Sequence, residues 1–130
     1  MRKNFSTAVP WESTVGYSRA VCIGNVIEIS GTVSVLDGKA YGIDDPYLQT
    51  KRILEIIGYA LTHFGASYAD VIRTRIYVTD IVHAWEAVGR AHGEVFREIR
   101  PATSMVEVSA LIAPEYLVEI EATAVIDEDR

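Results

Sequence analysis

The sequence predicts an α+β domain: a mixed sheet with two helices packed on one of its faces. Three observations carry this. Four segments alternate apolar and polar residues with period two, two others repeat apolar residues at helical spacing, and with one further strand they interleave as β-β-α-β-α-β-β. The chain has 130 residues and 49% hydrophobic content. A domain of this size should bury roughly two-thirds of its unfolded surface, enough for a core without disulfides or a structural metal. The expectation is one domain over residues 1–130, with its ordered body from about residue 5 to residue 126.

Each element follows from local chemistry. A strand over Tyr17–Cys22 is expected to pair with the segment from Val26 onward through Gly24-Asn25, two residues that accept positive φ. In Val26–Thr32 the apolar side reads Ile27, Ile29 and Gly31. Asp44-Asp45-Pro46 then begins a helix, with an Asp as cap and Pro46 in the first turn, where its missing N–H costs nothing. Ile53, Ile57, Ala60 and Phe64, widened by Leu54 and Leu61, form its buried face, and Gly65 stops it. Val71–Thr79 alternates Ile72, Thr74, Ile76 and Val78 on one side. A second helix is capped by Thr79 or Asp80, turns Ala84, Val88, Ala91 and Val95 inward, and ends before Arg100-Pro101. In the third alternating strand Ser104, Val106 and Val108 oppose Thr103, Met105 and Glu107; in the fourth Val118, Ile120, Ala122, Ala124 and Ile126 oppose Leu117, Glu119, Glu121 and Thr123. The acidic residues Asp127, Glu128 and Asp129, with Arg130, read as a solvated tail.

Composition excludes several classes. With 12 Lys+Arg against 18 Asp+Glu the net charge is −6, so nucleic acid is not an expected partner. The longest apolar runs are broken by glutamates and fall short of the roughly 20 residues of a spanning helix, so no membrane association is expected. The N-terminal residues are too mixed for a secretory signal, and the lone Cys22 can form no internal bridge; a cytoplasmic location is the expectation. His63, His83 and His92 lack the spacing of a helical zinc site, so no metal is anticipated, and with no Gly-rich phosphate loop or nucleotide fingerprint in the sequence no other cofactor is expected either. Cys22 reads as a small apolar filler and His92 as a hydrogen-bonded, inward-facing histidine rather than a general base. Only Lys3, Lys39 and Lys51 among the cations are lysines. Arginines opposite several glutamates, mixed with Tyr, Met and Leu on the uncovered sheet face, suit a contact between subunits.

Taken together, Gly16-Tyr17-Ser18, Ile29-Ser30-Gly31, Gly65-Ala66-Ser67 before Asp70-Val71, Tyr77-Val78-Thr79-Asp80, Arg100-Pro101-Ala102, Val106-Glu107-Val108 and Val118-Glu119-Ile120-Glu121-Ala122 have a familiar order and spacing. In these pieces the chain resembles the RidA/YjgF family of reactive-intermediate deaminases, also described as endoribonuclease L-PSP-like. The resemblance implies a chorismate-mutase-like fold assembled as a homotrimer, with small-molecule clefts between subunits. It implies hydrolysis of enamine or imine intermediates to a carbonyl product and ammonia, without a cofactor. Carried over residue by residue, Glu119 would be the catalytic group that orients or activates water, and Tyr17, Ser30 and Gly31 would line the cleft, with Thr103 and Met105 on its other wall.

One position departs from the family pattern. Typical members carry an arginine directly after Pro-Ala to fork onto the substrate carboxylate; here that residue is Thr103. The substrate is therefore expected to differ, with Arg73, Arg75 or Arg100 as candidate replacements for the missing cation. A non-catalytic, metabolite-binding or regulatory trimer of the same fold is the alternative reading, and ribonuclease or translation-inhibitor activity the third.

Overall fold

The computed structural model describes residues 1–128, and its sheet starts from the turn at Gly24. Gly24 takes φ 60°, folding β2 (Ala20–Ile23) back onto β3 (Val26–Thr32) with Ile23 opposite Val26. Asn25 keeps a negative φ, so one glycine suffices, and β2 begins three residues later than Tyr17. Ahead of it, β1 (Arg2–Phe5) adds an edge strand against β2.

After β3 a small hairpin, β4 (Val35–Leu36) and β5 (Lys39–Ala40), turns at Asp37-Gly38, both at positive φ. The first helix, α1 (Pro46–His63), starts as its sequence specifies. The Asp45 carboxylate accepts the Leu48 N–H at 3.0 Å and Pro46 occupies the first position. Past its end Gly65 adopts φ 78°, the left-handed residue that closes a helix C-terminus. The strand β6 (Val71–Val78) leads to α2 (Ile81–Phe96), whose cap is Asp80, and then to β7 (Ala102–Glu107) and β8 (Val118–Val125).

The six long strands lie in the order β1-β2-β3-β8-β6-β7, antiparallel throughout except for the parallel β6–β7 pair. This is the mixed sheet with two helices on one face that the alternation predicts, and the β-β-α-β-α-β-β order stands once β1 and the small hairpin are set aside. The core lies between the sheet and helices. It is built from Ile27 and Ile29 of β3, Ile53, Leu54, Ile57 and Leu61 of α1, Ile76 and Val78 of β6, Val88 and Phe96 of α2, and Val118, Ile120, Ala122 and Ala124 of β8. Cys22 is buried in the same cluster. Of the acidic tail, Asp127 and Glu128 are exposed; Asp129 and Arg130 lie outside the described residues.

Three face assignments differ from those expected, two of them for a reason of register. In β6, Val71 is buried and Ile72 is 52% exposed, because the pairing with β8 shifts by one residue between Val71 and Arg73. In β3 a similar shift between Ile29 and Thr32 buries Thr32 and turns Gly31 to the other face. In β7 the assignment is reversed. Thr103, Met105 and Glu107 sit beside Thr74, Ile76 and Val78 and so share the helix-covered face, while Ser104 and Val106 lie beside Arg75 and Tyr77 on the uncovered one. Alternation alone cannot say which side of an edge strand looks inward when neither side is strongly apolar.

The uncovered face is otherwise as polar as expected. Tyr77 donates to Glu121 at 2.8 Å with Arg75 3.9 Å from the same carboxylate, Arg73 donates to Ser104 at 2.9 Å, and Thr123 donates to Glu28 at 2.6 Å.

Candidate functional site

The shift in β3 is the origin of the site. Ile29 pairs with Ala122 and Thr32 with Ile120, so both Ser30 and Gly31 answer to the single residue Glu121. This is a β-bulge, and its extra residue re-aims the backbone. The Ser30 hydroxyl is spent locally, donating to the Ser18 carbonyl at 2.6 Å, while its N–H donates to the Arg19 carbonyl at 3.0 Å. Both bonds tie the Tyr17–Arg19 segment to the bulge.

Gly31 has no positive φ to explain it; it is glycine because its Cα faces the Glu119 carboxylate, and a Cβ there would overlap the carboxylate oxygen. Glu119 stands near the start of β8 and is half-buried. Burial pushes its pKa above the usual carboxylate range, the neighbouring Glu121 charge adds to this, and Arg19 opposes it. The placement of β8 is itself fixed by a buried amide. Gln49 of α1 donates to the carbonyls of Glu115 at 2.9 Å and Gly42 at 3.2 Å and accepts the Leu117 N–H at 2.9 Å, two residues before Glu119.

Arg19 completes the group. It is 7% exposed, its Nη2 donates to the Gly31 carbonyl at 2.5 Å, and its guanidinium carbon lies 5.8 Å from the Tyr17 ring centre. Its buried Nε has no hydrogen-bond partner among the described residues. Burial lowers its pKa, while Tyr17, Glu12 and Glu119 push in the other direction. Glu12 is held apart from it by other bonds. Burial would raise the Glu12 pKa, but hydrogen bonds from Ser6 and Thr7 and the Arg19 charge bring it below the usual range. Those bonds staple the loop from Thr7 to Trp11 over a cleft of about 1000 Å³ that Arg19 also lines. Its remaining walls are Val33, Val35 and the Asp37-Gly38 turn on one side, Arg52, Glu55, Ile56 and Tyr59 of α1 on another, and Tyr116.

The expected site residues therefore divide. Tyr17, Ser30, Gly31 and Glu119 gather around the bulge. Thr103 and Met105 lie elsewhere in the same chain: β7 is separated from β8 by β6, about 10 Å at the usual strand spacing, and both side chains are on the helix-covered face. The Thr103 hydroxyl donates to the Pro101 carbonyl at 3.1 Å and lies 2.7 Å from Thr74 Oγ1, which is 3.0 Å from His92 Nε2. Met105 packs against the core. Arg73 and Arg75 are engaged on the uncovered face, and Arg100 donates to the Arg97 carbonyl at 3.0 Å.

Arg19 and Gln49 were not among the residues expected at the site. Arg19 carries a signal: an arginine directly after Tyr17-Ser18, in phase with Val21 on the uncovered face rather than with the buried Ala20 and Cys22. Gln49 carries none beyond being polar near a buried helix face.

The sequence profile described as Endoribonuclease L-PSP matches residues 7–126. A solved structure of a YjgF/YER057c/UK114 family member from Mycobacterium tuberculosis is 50% identical, covers 97% of this chain and 100% of its own, and superposes with a TM-score of 0.88. A Streptomyces coelicolor protein is 37% identical over 88% of this chain and 85% of its own. A RutC family protein of Pyrococcus abyssi is 36% identical over 83% and 84% respectively.

Proposed function

The chain belongs to the RidA/YjgF family, and from that premise we propose that it hydrolyses an enamine or imine intermediate to a carbonyl product and ammonia, in clefts between the subunits of a homotrimer. The observation that carries this reading is the Glu119 carboxylate, half-buried against the bare backbone of Gly31, with its pKa raised by burial. A base poised closer to neutrality accepts and returns a proton more readily than an ordinary solvated carboxylate.

The reaction needs no redox partner. An enamine tautomerises to the imine by proton transfer to carbon. Water then adds to the imine carbon, giving one proton to Glu119, which passes it to the nitrogen, so that a neutral carbinolamine forms. As the carbinolamine collapses, Glu119 takes its hydroxyl proton and returns one to the nitrogen, the C–N bond breaks, and ammonia departs leaving the C=O bond. Glu119 ends in the state in which it began. Its neighbours contribute by position: the bulge at Ser30 and Gly31 fixes its distance from the backbone, and Gln49 fixes the register of β8. Thr103, exposed on the edge strand β7, would face the bulge of a second subunit rather than that of its own, while Met105 stays packed against the core of its own subunit. The paired charges of the uncovered face would lie inside such an assembly.

The test is to generate 2-aminoacrylate with a pyridoxal-phosphate enzyme and follow pyruvate release with and without the protein. Acceleration abolished by Glu119→Gln supports the reading; a rate equal to the uncatalysed one with a panel of imino acids overturns it. A second reading, a metabolite-binding trimer without catalysis, is favoured by the Thr103 hydroxyl being tied to Thr74 and Pro101 where a guanidinium fork would stand. A ligand that raises the melting temperature and is recovered chemically unchanged would support it.

A further inference from the structure

We propose that Arg19 is the carboxylate anchor of this protein and that the adjoining cleft receives an apolar side chain, so that its substrates are 2-imino acids with bulky apolar groups. This rests on the deaminase reading for the reaction but on separate observations for the ligand.

Among the described residues, Arg19 is the one cation of the site that is nearly fully buried and incompletely paired. A guanidinium offers five N–H donors. One is used on the Gly31 carbonyl, and the buried Nε–H has no partner. Neither Glu12 nor Glu119 closes on it within ion-pair distance; both act on it through space. Leaving a desolvated donor unpaired is costly, and where Arg19 lines the cleft a carboxylate arriving there would pair with its guanidinium through a charge-assisted bond. The other cation of the cleft is already spent: Arg52 donates to the Val35 carbonyl at 2.8 Å and pairs with Glu55 at 3.2 Å.

Bond lengths then place the chemistry. In a 2-imino acid the reacting carbon is bonded directly to the carboxylate carbon, so the anchor must stand beside the general base. Arg19 and Glu119 meet at the same residue, one on the Gly31 carbonyl and the other over its Cα. Arg73, Arg75 and Arg100 have no such relation to Glu119 and hold other partners. On the far side of Arg19 the cleft presents Val33, Val35, Ile56, Tyr59 and Trp11, an apolar wall much larger than the methylene of 2-aminoacrylate requires.

The test uses isothermal titration of the full chain with phenylpyruvate, phenylpyruvamide and pyruvate. The wild type is expected to bind phenylpyruvate roughly tenfold or more tighter than the amide, and roughly tenfold or more tighter than pyruvate. Arg19→Gln is expected to erase the preference for carboxylate over amide, Arg19→Lys to keep part of it, and Arg90→Gln, exposed on α2 away from the cleft, to leave it intact. Tyr59→Ala, on an exposed wall, is expected to reduce the phenyl-over-methyl preference alone. Equal binding of acid and amide by the wild type overturns the proposal, as does undiminished discrimination in Arg19→Gln. If Arg19→Gln does not fold, Arg19→Lys decides: an unaltered acid-to-amide ratio and affinity overturn it. An amino-acid oxidase supplying the imine of phenylalanine separates the two readings. Expected binding without acceleration supports the anchor and removes the deaminase, whereas turnover with KM unchanged in Arg19→Gln removes the anchor and keeps the deaminase.

Discussion

Replacing Gly31 by alanine probes the link between the bulge and Glu119 with one methyl group. The added Cβ would lie 3.0 Å from Glu119 Cδ and nearer still to its oxygen. Carbon pairs settle at about 3.5–4.0 Å, so the carboxylate must move by at least about half an ångström, and its oxygen by more. The obstacle is the end of a flexible side chain and Gly31 has no positive φ, so the fold can yield cheaply. Forcing Glu119 off its rotamer costs about 0.5–1.5 kcal/mol, or a fall in melting temperature of about 2–8 °C. Catalysis should suffer far more, because a displacement of about 1 Å at a catalytic group can cost about a hundredfold. A carboxylate pushed toward water also loses part of the burial that raises its pKa, so the acid limb of kcat/KM should move to lower pH. The assay is imine hydrolysis across pH 5 to about 9 beside a thermal melt. Unchanged activity with an unchanged acid limb would refute the reasoning, as would a melting temperature lowered by well over about 10 °C with the residual activity in proportion.

Other expectations follow from the same geometry. Glu119→Gln should raise the melting temperature at pH 8 and not at pH 4: the folded pKa is raised, so the wild type loses stability as pH climbs from the ordinary carboxylate value through the folded one, and the amide escapes that loss. Gln49→Ala removes a buried amide with three hydrogen bonds and should cost about 2–4 kcal/mol in a urea melt, since it leaves the Leu117 N–H and the Glu115 carbonyl without partners. Light scattering after size exclusion should report about three times 14.4 kDa; a clean monomer would remove the shared cleft. Thr103→Arg should speed hydrolysis of 2-aminoacrylate if a fork after Pro-Ala still serves this trimer, and the buried Thr74 hydroxyl would keep its His92 partner in the variant.

The strands and helices were legible because their signals are local. Asp45-Pro46 specifies a helix start whatever surrounds it, and the alternation of β8 survives unchanged into the structure. Where register intervened, the sequence misled: Ile72 reads as buried and is exposed, and Thr103 and Met105 read as facing the polar side and face the helices. A bulge displaces every later residue by one face, and no residue type in β6 announces it. The Asp37-Gly38 turn, by contrast, is a purely local signal, two residues that accept positive φ between short strands. Glu119, Gly31 and Tyr17 came from the family resemblance, which marks site positions without explaining them. Arg19 needed the fold, because an arginine becomes notable only when its surroundings withhold both water and a partner.

The bulge in β3 has a consequence for how this activity could be gained or lost. Ile29 opposite Ala122 and Thr32 opposite Ile120 are separated by two residues on one strand and one on the other. Deleting either Ser30 or Gly31 would restore an even ladder and keep every core residue of β3 on its present side. The proposed chemistry of this sheet thus depends on a one-residue insertion between two regular stretches of the β3–β8 ladder. Lineages could shed the reaction by losing a single codon while keeping the fold, and a longer or shorter bulge would change what the cleft handles before it changed what the chain folds into.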